Sequence, residues 1–371
     1  GGAPLAVEVV LRRRPVRIQV WRLDVGRVPL FLLDTDLPEN HPIDRWITAR
    51  LYVGDRQTRL AQYAVLGIGG VRALAAMGIE PRLHHLNEGH AALGGFERLR
   101  REVAAGRTLD AALASVRERT VFTTHTPVAA GNEGYAEAEV EAVLSDFVDQ
   151  LGVPRETFYD LGRLEPGNRA EPASITPLAL RTSRAANGVS RRHGELARVM
   201  WQRLWPGRAV EDVPIGHVTN GVHSTTWMSR PMQALLDRRL PADWRARVAE
   251  AELWQALGRI PDEELWAVRC EQRRALVAYV REKSIRDRLD RGEAPDYVEQ
   301  AAAMFDPEAL TIGFARRVAT YKRLHLLTRR SERGLALLAN DAAPVQLVVA
   351  GKAHPQDEEA KASLRDLFRM K

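Results

Sequence analysis

The feature that most constrains this chain is a repeated order of events: a short apolar run, a polar turn rich in Asn, His, Thr and Gly, then a helical pattern. Residues 81–86 read as a short strand that passes through Asn87-Glu88-Gly89-His90 into a helix over 89–105. Residues 120–123 carry Val121-Phe122 into Thr124-His125-Thr126-Pro127, and residues 216–218 lead into Thr219-Asn220-Gly221-Val222-His223. Strand, turn and helix in alternation predict a parallel sheet with crossover helices, an α/β fold. Ligands of such sheets gather beyond the carboxyl ends of the strands, so chemistry is expected at these polar turns.

The segments around this core read differently. Residues 5–11 and 16–21 alternate as two strands, with Arg12-Arg13-Arg14-Pro15 as the turn, and residues 29–34 make a third. Residues 59–77 are helical in pattern but interrupted at Gly67-Ile68-Gly69-Gly70, and residues 162–182, with three prolines, read as an irregular loop. Beyond Trp227 come long helical stretches over 243–258 and 262–291, their starts marked by Pro241 and Pro261. A second strand–loop–helix unit then follows: strand 310–315, loop 316–322, helix 324–339, and a next parallel strand over 345–350. Two strands alone leave an edge and a face uncovered, so the helix begun at 358 looks cut off in mid-domain.

A chain of 371 residues, 45% hydrophobic, exceeds what one core normally holds. Two domains are expected, residues 1–224 and 225–371. Apolar runs end after four or five positions, as in Leu30-Phe31-Leu32-Leu33, far short of the roughly 18 residues a membrane span requires. The net charge of +6 invites nucleic acid, but the arginines behind it are interleaved with acids at helical spacing, as a solvated face is. No nucleic acid and no membrane partner are expected. Cys270 is the single cysteine and reads as a packed apolar group. The opening Gly-Gly-Ala-Pro-Leu carries no secretion leader and no initiator Met, so the expectation is a cytoplasmic piece of a longer product.

Several motifs bear on chemistry. His84, His85 and His90 lack a zinc-binding frame, and no metal site is expected. Asn87-Glu88-Gly89-His90 reads either as a loop whose free N–H groups and Glu88 carboxylate receive hydroxyls or an anion, or as a helix cap with a packed His. Arg316-Arg317 directly after a strand, with Lys322 five to six positions later, either converge on one dianion or form a plain basic helix surface. Gly351-Lys352-Ala353 is no phosphate-binding Walker loop, because the spaced glycines and the Lys-Ser/Thr pair are missing.

Taken in order, His85 to His90, Thr123 to Pro127, Thr219 to His223, Phe314 to Arg323 and Gly351 to Ala353 resemble the alpha-glucan phosphorylases, most closely the bacterial glycogen and maltodextrin branch. The resemblance implies two Rossmann-like domains facing a cleft, the glycosyltransferase B arrangement, both incomplete here. It implies retaining phosphorolysis of an alpha-1,4-glucan to glucose 1-phosphate, with glucan and inorganic phosphate as partners and a homo-oligomer left open. Asn87, Glu88, His125 and Asn220 would bind the glucosyl residue, with Gly89, His90 and Gly221 in support. Arg317 and Lys322 would bind phosphate beside the cofactor phosphate, and Arg316 would stand next to them. The family's cofactor, pyridoxal 5'-phosphate, is held by a lysine in a Gly-Thr-Ser-x-Met-Lys setting, and none of Lys283, Lys322, Lys352, Lys361 or Lys371 has that setting. The fragment is therefore expected to be inactive alone. A nucleotide-sugar-dependent glycogen or starch synthase and a non-catalytic glucan-binding module are the alternatives.

Overall fold

The computed structural model describes residues 4–51, 53–127, 132–319, 322–326, 329–353 and 357–369; Thr320, Tyr321, His354, Pro355 and Lys371 of the motifs above lie outside them. The chain begins with an antiparallel sheet of β1 (Ala6–Leu11), β2 (Arg14–Val25) and β3 (Val28–Asp34). The β1–β2 turn is tighter than the sequence suggests, since Leu11 pairs with Arg14 and Pro15 lies inside β2 opposite Val10. Proline is tolerated there because β3 pairs only with Gln19–Val25, so no neighbour requires an N–H from residue 15. Arg12 and Arg13 both take positive φ, 52° and 59°, the backbone that a two-residue hairpin of matching twist demands. Arg12 is tied down in that conformation: its guanidinium meets the buried Asp44 carboxylate at 2.9 Å, and its N–H donates to the Val143 carbonyl at 2.9 Å.

The predicted parallel sheet is present. It is formed by β4 (His84–Asn87), β5 (Thr120–Thr124), β8 (Ala185–Gly188) and β9 (Ile215–His217), in that order and all parallel. Two minor strands, β6 (Gly134–Tyr135) and β7 (Ala173–Ser174), pair antiparallel. Leu86 and Phe122 enter the core, against Phe96, Phe147, Phe158 and Leu178 from the crossover helices.

The glycines at 67–70 do not interrupt their helix. A π-turn at Val65–Gly69 joins the helices Arg56–Ala64 and Gly70–Ala76. A Cβ at Gly67 would lie 2.6 Å from the Gly94 backbone N, so glycine there serves close helix approach and not a turn. The helix expected at 89–105 begins with a 3-10 turn, Gly89–Ala91, and continues as Gly94–Ala104. Glu97 on it is fully buried; burial would raise its pKa, but hydrogen bonds from Arg100 and Arg72 outweigh that and hold it below the ordinary carboxylate value.

Residues 162–182 are not irregular. They contain β7 and the helix Ile175–Arg181, and they close around the fully buried Arg163, which meets Glu137 at 2.6 Å and Asp160 at 3.0 Å and also pairs with Glu156. Proline content points to a loop here, but Pro177 sits in the first turn of its helix, where a missing N–H costs nothing.

The chain divides into two compact units, Gly1–Asn220 and Gly221–Lys371. In the second, the helices Arg230–Arg239 and Asp262–Asp290 pack Leu235, Leu236 and Val268 around Trp244, whose indole N–H donates to Asp237 at 2.9 Å. The helix expected over 243–258 reduces to Ala251–Gln255 and a 3-10 turn, Ala256–Arg259, because the chain turns around the buried Trp244. Cys270 is 8% exposed, in keeping with its packed reading. Strands β10 (Leu310–Ala315) and β11 (Val345–Ala350) pair in parallel. The predicted helix at 324–339 is a 3-10 turn, Leu324–Leu326, and a helix at Ser331–Leu338.

His84, at the start of β4, is driven down to about 4, chiefly by burial and further by Arg98 and Arg119. Its depressed value means that the unfolded chain binds the extra proton, so its contribution to stability is complete above the ordinary value of 6.5 and is lost as pH falls toward 4. His84→Gln should flatten urea-unfolding stability across that window by on the order of 1 kcal/mol, the shift being discounted because the part-exposed ring is screened by solvent. An unchanged pH slope would show that His84 is solvated in the fold.

Candidate functional site

Strands β4 and β5 end side by side, and their turns are joined by one carboxylate. Glu88 continues the ladder by donating its N–H to Thr123 O at 2.8 Å. The chain then turns sharply, at φ 65° and ψ 175°, a backbone region that an L-residue occupies only when its surroundings hold it there. Here the side chain does the holding. Glu88 Oε2 accepts from the His125 backbone N–H at 2.7 Å and from the Thr126 hydroxyl at 3.0 Å, while Oε1 accepts from Gly89 N–H at 3.2 Å. Gly89 admits no side chain, since a Cβ would lie 2.6 Å from Ile175 Cγ2.

The His125 ring lies 2.5 Å from Asn87 Oδ1 through its Nε2. An amide oxygen only accepts, so Nε2 carries the proton, and Nδ1 of a neutral ring is left as an acceptor. A second row runs beneath. His85 Nε2 donates to Thr123 Oγ1 at 2.8 Å, Thr123 Oγ1 donates to Asn187 Oδ1 at 3.0 Å, and Asn187 donates to Gly188 O at 3.1 Å. Of the adjacent histidines, it is therefore His85 that shares the site's orientation. The Thr124 hydroxyl is buried with no hydrogen-bond partner among the described residues.

His90 stands behind these groups, against Tyr63 at 5.5 Å between ring centroids. Burial pushes its pKa down, Arg59 adds to this, and Glu88 and Glu133 oppose it. Arg59 covers the Tyr63 ring at 4.7 Å and meets Glu133 at 3.2 Å; Tyr135 donates its hydroxyl to Glu133 at 2.6 Å. Asn220 enters through its backbone, donating to Val189 O at 3.1 Å beside the end of β8, and its side chain is exposed. Gly221 opens the second unit.

In that second unit Arg316 and Arg317 follow directly on β10 and are exposed, and Lys322 is half-buried. Arg316 N–H donates to Ala350 O at 3.1 Å and Val318 N–H to Lys352 O at 3.0 Å, so the segment runs along the end of β11. A Cβ at Gly351 would lie 2.0 Å from Arg316 O, so only glycine lets the two strand ends approach this closely. Lys322 N–H donates to Ala319 O at 2.9 Å, and Arg323 follows at φ 61°.

No protein-family model matches the chain. Among curated proteins it is 40% identical over 367 residues to a maltodextrin phosphorylase of Thermococcus litoralis, which covers 99% of this chain and 43% of the relative. It is 42% identical over 383 residues to a glycogen phosphorylase of Mycobacterium tuberculosis, covering 99% and 44%, and 34% identical over 368 residues to that of Aquifex aeolicus, covering 99% and 52%. The chain is thus similar to glycogen and maltodextrin phosphorylases. It spans about half the length of these phosphorylases. The resemblance carried by the ordered motifs thus extends along nearly the whole chain.

Asn187 was not singled out by the sequence, and His85 and Thr123 were noted there only as members of their motif strings, His85 also as a candidate metal ligand, without a role in this row. The strand that carries Asn187, Ala-Ala-Asn-Gly, has no β-branched residue and no alternation, so it gives no strand signal. The Asn-Gly pair at its end was the one available cue.

Glu88→Gln should cost about 1–3 kcal/mol, because an amide cannot accept three hydrogen bonds with both of its ends. Amide hydrogen exchange at Gly89 and His125 should accelerate with it. Unchanged exchange at both positions would mean that the carboxylate does not hold the turns.

Proposed function

We propose that the protein of which this chain is part is an alpha-1,4-glucan phosphorylase, transferring a terminal glucosyl residue to inorganic phosphate with retention and releasing glucose 1-phosphate. The observation that carries the reading is that likeness to glycogen and maltodextrin phosphorylases covers 99% of the chain, and so includes both the Glu88 turn and the Arg317–Lys322 segment. On this reading residues 1–224 and 225–371 belong to the two facing domains of a glycosyltransferase B fold.

The residues have chemistry suited to these roles. Asn87, His125 and Asn220 present amide and imidazole groups for hexose hydroxyls, while Glu88, engaged with His125, Thr126 and Gly89, acts on the sugar by fixing its neighbours. Gly89 and Gly221 let the backbone come near, and His90 backs the turn. Arg317 supplies a planar fork for phosphate oxygens and Lys322 a mobile point charge; together they offset the repulsion between two phosphate groups brought side by side. Arg316 adds positive charge beside them.

The cofactor of the proposed enzyme is pyridoxal 5'-phosphate, which supplies a phosphate for proton relay. The described lysines do not fit its covalent attachment. Lys283 is exposed and meets Asp287 at 3.0 Å, Lys361 pairs with Glu358, and Lys352 is exposed at the end of β11. Lys322, half-buried, is assigned to phosphate on this reading; no step is assigned through these lysines, and this chain alone is expected to lack phosphorolysis.

In the full-length protein, Arg317→Ala should raise the KM for phosphate and lower kcat/KM by about 2–4 kcal/mol while glucan affinity stays within about twofold. Lys322→Ala should follow the same direction more mildly, a point charge being easier for water to replace. Initial rates against phosphate and maltodextrin, varied separately, read both. A fall in glucan affinity with phosphate dependence untouched would place both residues on a solvated basic surface instead.

A further inference from the structure

His193 has no part in the chemistry assigned above, yet it is 8% exposed and lies directly behind the end of β8. It is the third residue of the helix Arg191–Trp201, whose N-cap is Ser190. Ser190 Oγ accepts from His193 N–H at 3.2 Å, and Ser190 O accepts from Gly194 N–H at 2.9 Å. The start of this helix sits closely on the sheet: a Cβ at Gly188 would lie 2.7 Å from Gly194 N, and one at Gly194 would lie 2.8 Å from Gly216 O. With the helix this near, the His193 ring reaches back to the residue after β8, where Nδ1 accepts from Val189 N–H at 3.2 Å. A backbone N–H only donates, so the proton of the neutral ring is on Nε2. Nε2 is buried and has no hydrogen-bond partner among the described residues. An unpaired buried N–H is costly, so packing alone would be served better by an apolar side chain. What the imidazole provides is the acceptor at Nδ1.

That acceptor holds a peptide on which several site groups hang. The Gly188–Val189 peptide is planar and rigid, so fixing its N–H also fixes its carbonyl. Gly188 O accepts from Val218 N–H at 3.0 Å and from Asn187 Nδ2 at 3.1 Å. Asn187 Oδ1 in turn receives the Thr123 hydroxyl at 3.0 Å. Two residues beyond Val218, Asn220 N–H donates to Val189 O at 3.1 Å. Rotation of this one peptide would therefore disturb the turn that carries Asn220 together with the row of Asn187, Thr123 and His85.

We propose that His193 is a positioning residue for glucosyl transfer: through Nδ1 it fixes the Gly188–Val189 peptide, and through that peptide the placement of Asn220. The inference rests on the hexose-binding role proposed above for Asn220. The competing account is a plain helix cap, since side chains at the third helical position commonly accept an N–H from the start of the helix. The two accounts differ in whether loss of the acceptor is felt at Asn220. Asparagine sets its amide oxygen where Nδ1 stands and glutamine sets its amide where Nε2 stands, so two variants separate the nitrogens.

In the 371-residue chain, His193→Asn should keep amide exchange at Val189 within about threefold of wild type, while His193→Gln should speed exchange at Val189 and Val218 at least about tenfold. Long-range nitrogen–proton NMR spectra of the wild-type chain in mildly alkaline solution, which need no variant to fold, should show the His193 proton on Nε2; a proton on Nδ1 overturns the proposal. In the full-length protein, His193→Gln should lower kcat/KM for maltodextrin about 10- to 100-fold with the KM for phosphate within about twofold, and His193→Asn should recover most of that loss. Added to Asn220→Ala, His193→Gln should cost less than about threefold more. Losses that add fully to those of Asn220→Ala, or that are equal in the Asn and Gln variants, overturn the positioning role in favour of the cap. A full-length protein without phosphorolysis overturns the functional reading and the assigned role with it, while exchange at Val189 separately reads whether His193 holds the peptide.

Discussion

The candidate site depends on the Glu88 carboxylate. Three donors from two successive turns of the parallel sheet converge on it, and only that convergence makes a left-handed backbone acceptable at a non-glycine residue. With the turns of β4 and β5 bound together, Asn87 and His125 are brought within a hydrogen bond of each other. Without the carboxylate, two strand ends would be adjacent but their side chains would not be oriented. A glutamate in such a loop is readily taken for a group that meets substrate directly; here three of its acceptor positions are already occupied by the protein, which orients the two turns.

The same economy recurs in the interior of the first unit, where buried charges are matched and not avoided. Asp44 receives Arg12 and Arg14, Glu97 receives Arg72, Arg100 and Arg101, and Arg163 faces three carboxylates. Each cluster ties segments that are distant in sequence, and each would be costly if one partner were removed, since the remaining charge would be buried unpaired. Several arginines of this arginine-rich chain thus serve as partners of buried carboxylates.

Fold class was legible in the residues because strand, polar turn and helix recur in one order, and that order admits little besides a parallel sheet. The places where the reading failed share a cause. Gly67 to Gly70 and the prolines between 162 and 182 were weighed by local propensity, yet their positions are set by contact: Gly67 against Gly94, and the second segment around Arg163. Local signals report what a residue tolerates. They do not report which distant group it will meet.

By itself the sequence determined that the chain is α/β, that its polar turns fall at strand ends, and that those turns stand in the order found in glycogen and maltodextrin phosphorylases, because periodicity and motif order are properties of a line. Only the tertiary structure decided that Glu88 is engaged by its neighbours, that His85 and not His84 joins the row of Thr123 and Asn187, and that Ala185–Gly188 is a strand. The exposed apolar face of β2 and β3, with Trp21, Leu23 and Leu30, belongs to that second group. Alternating apolar residues were visible in the chain, but which face the core would cover and which it would leave to solvent is settled by packing, and packing is decided in three dimensions.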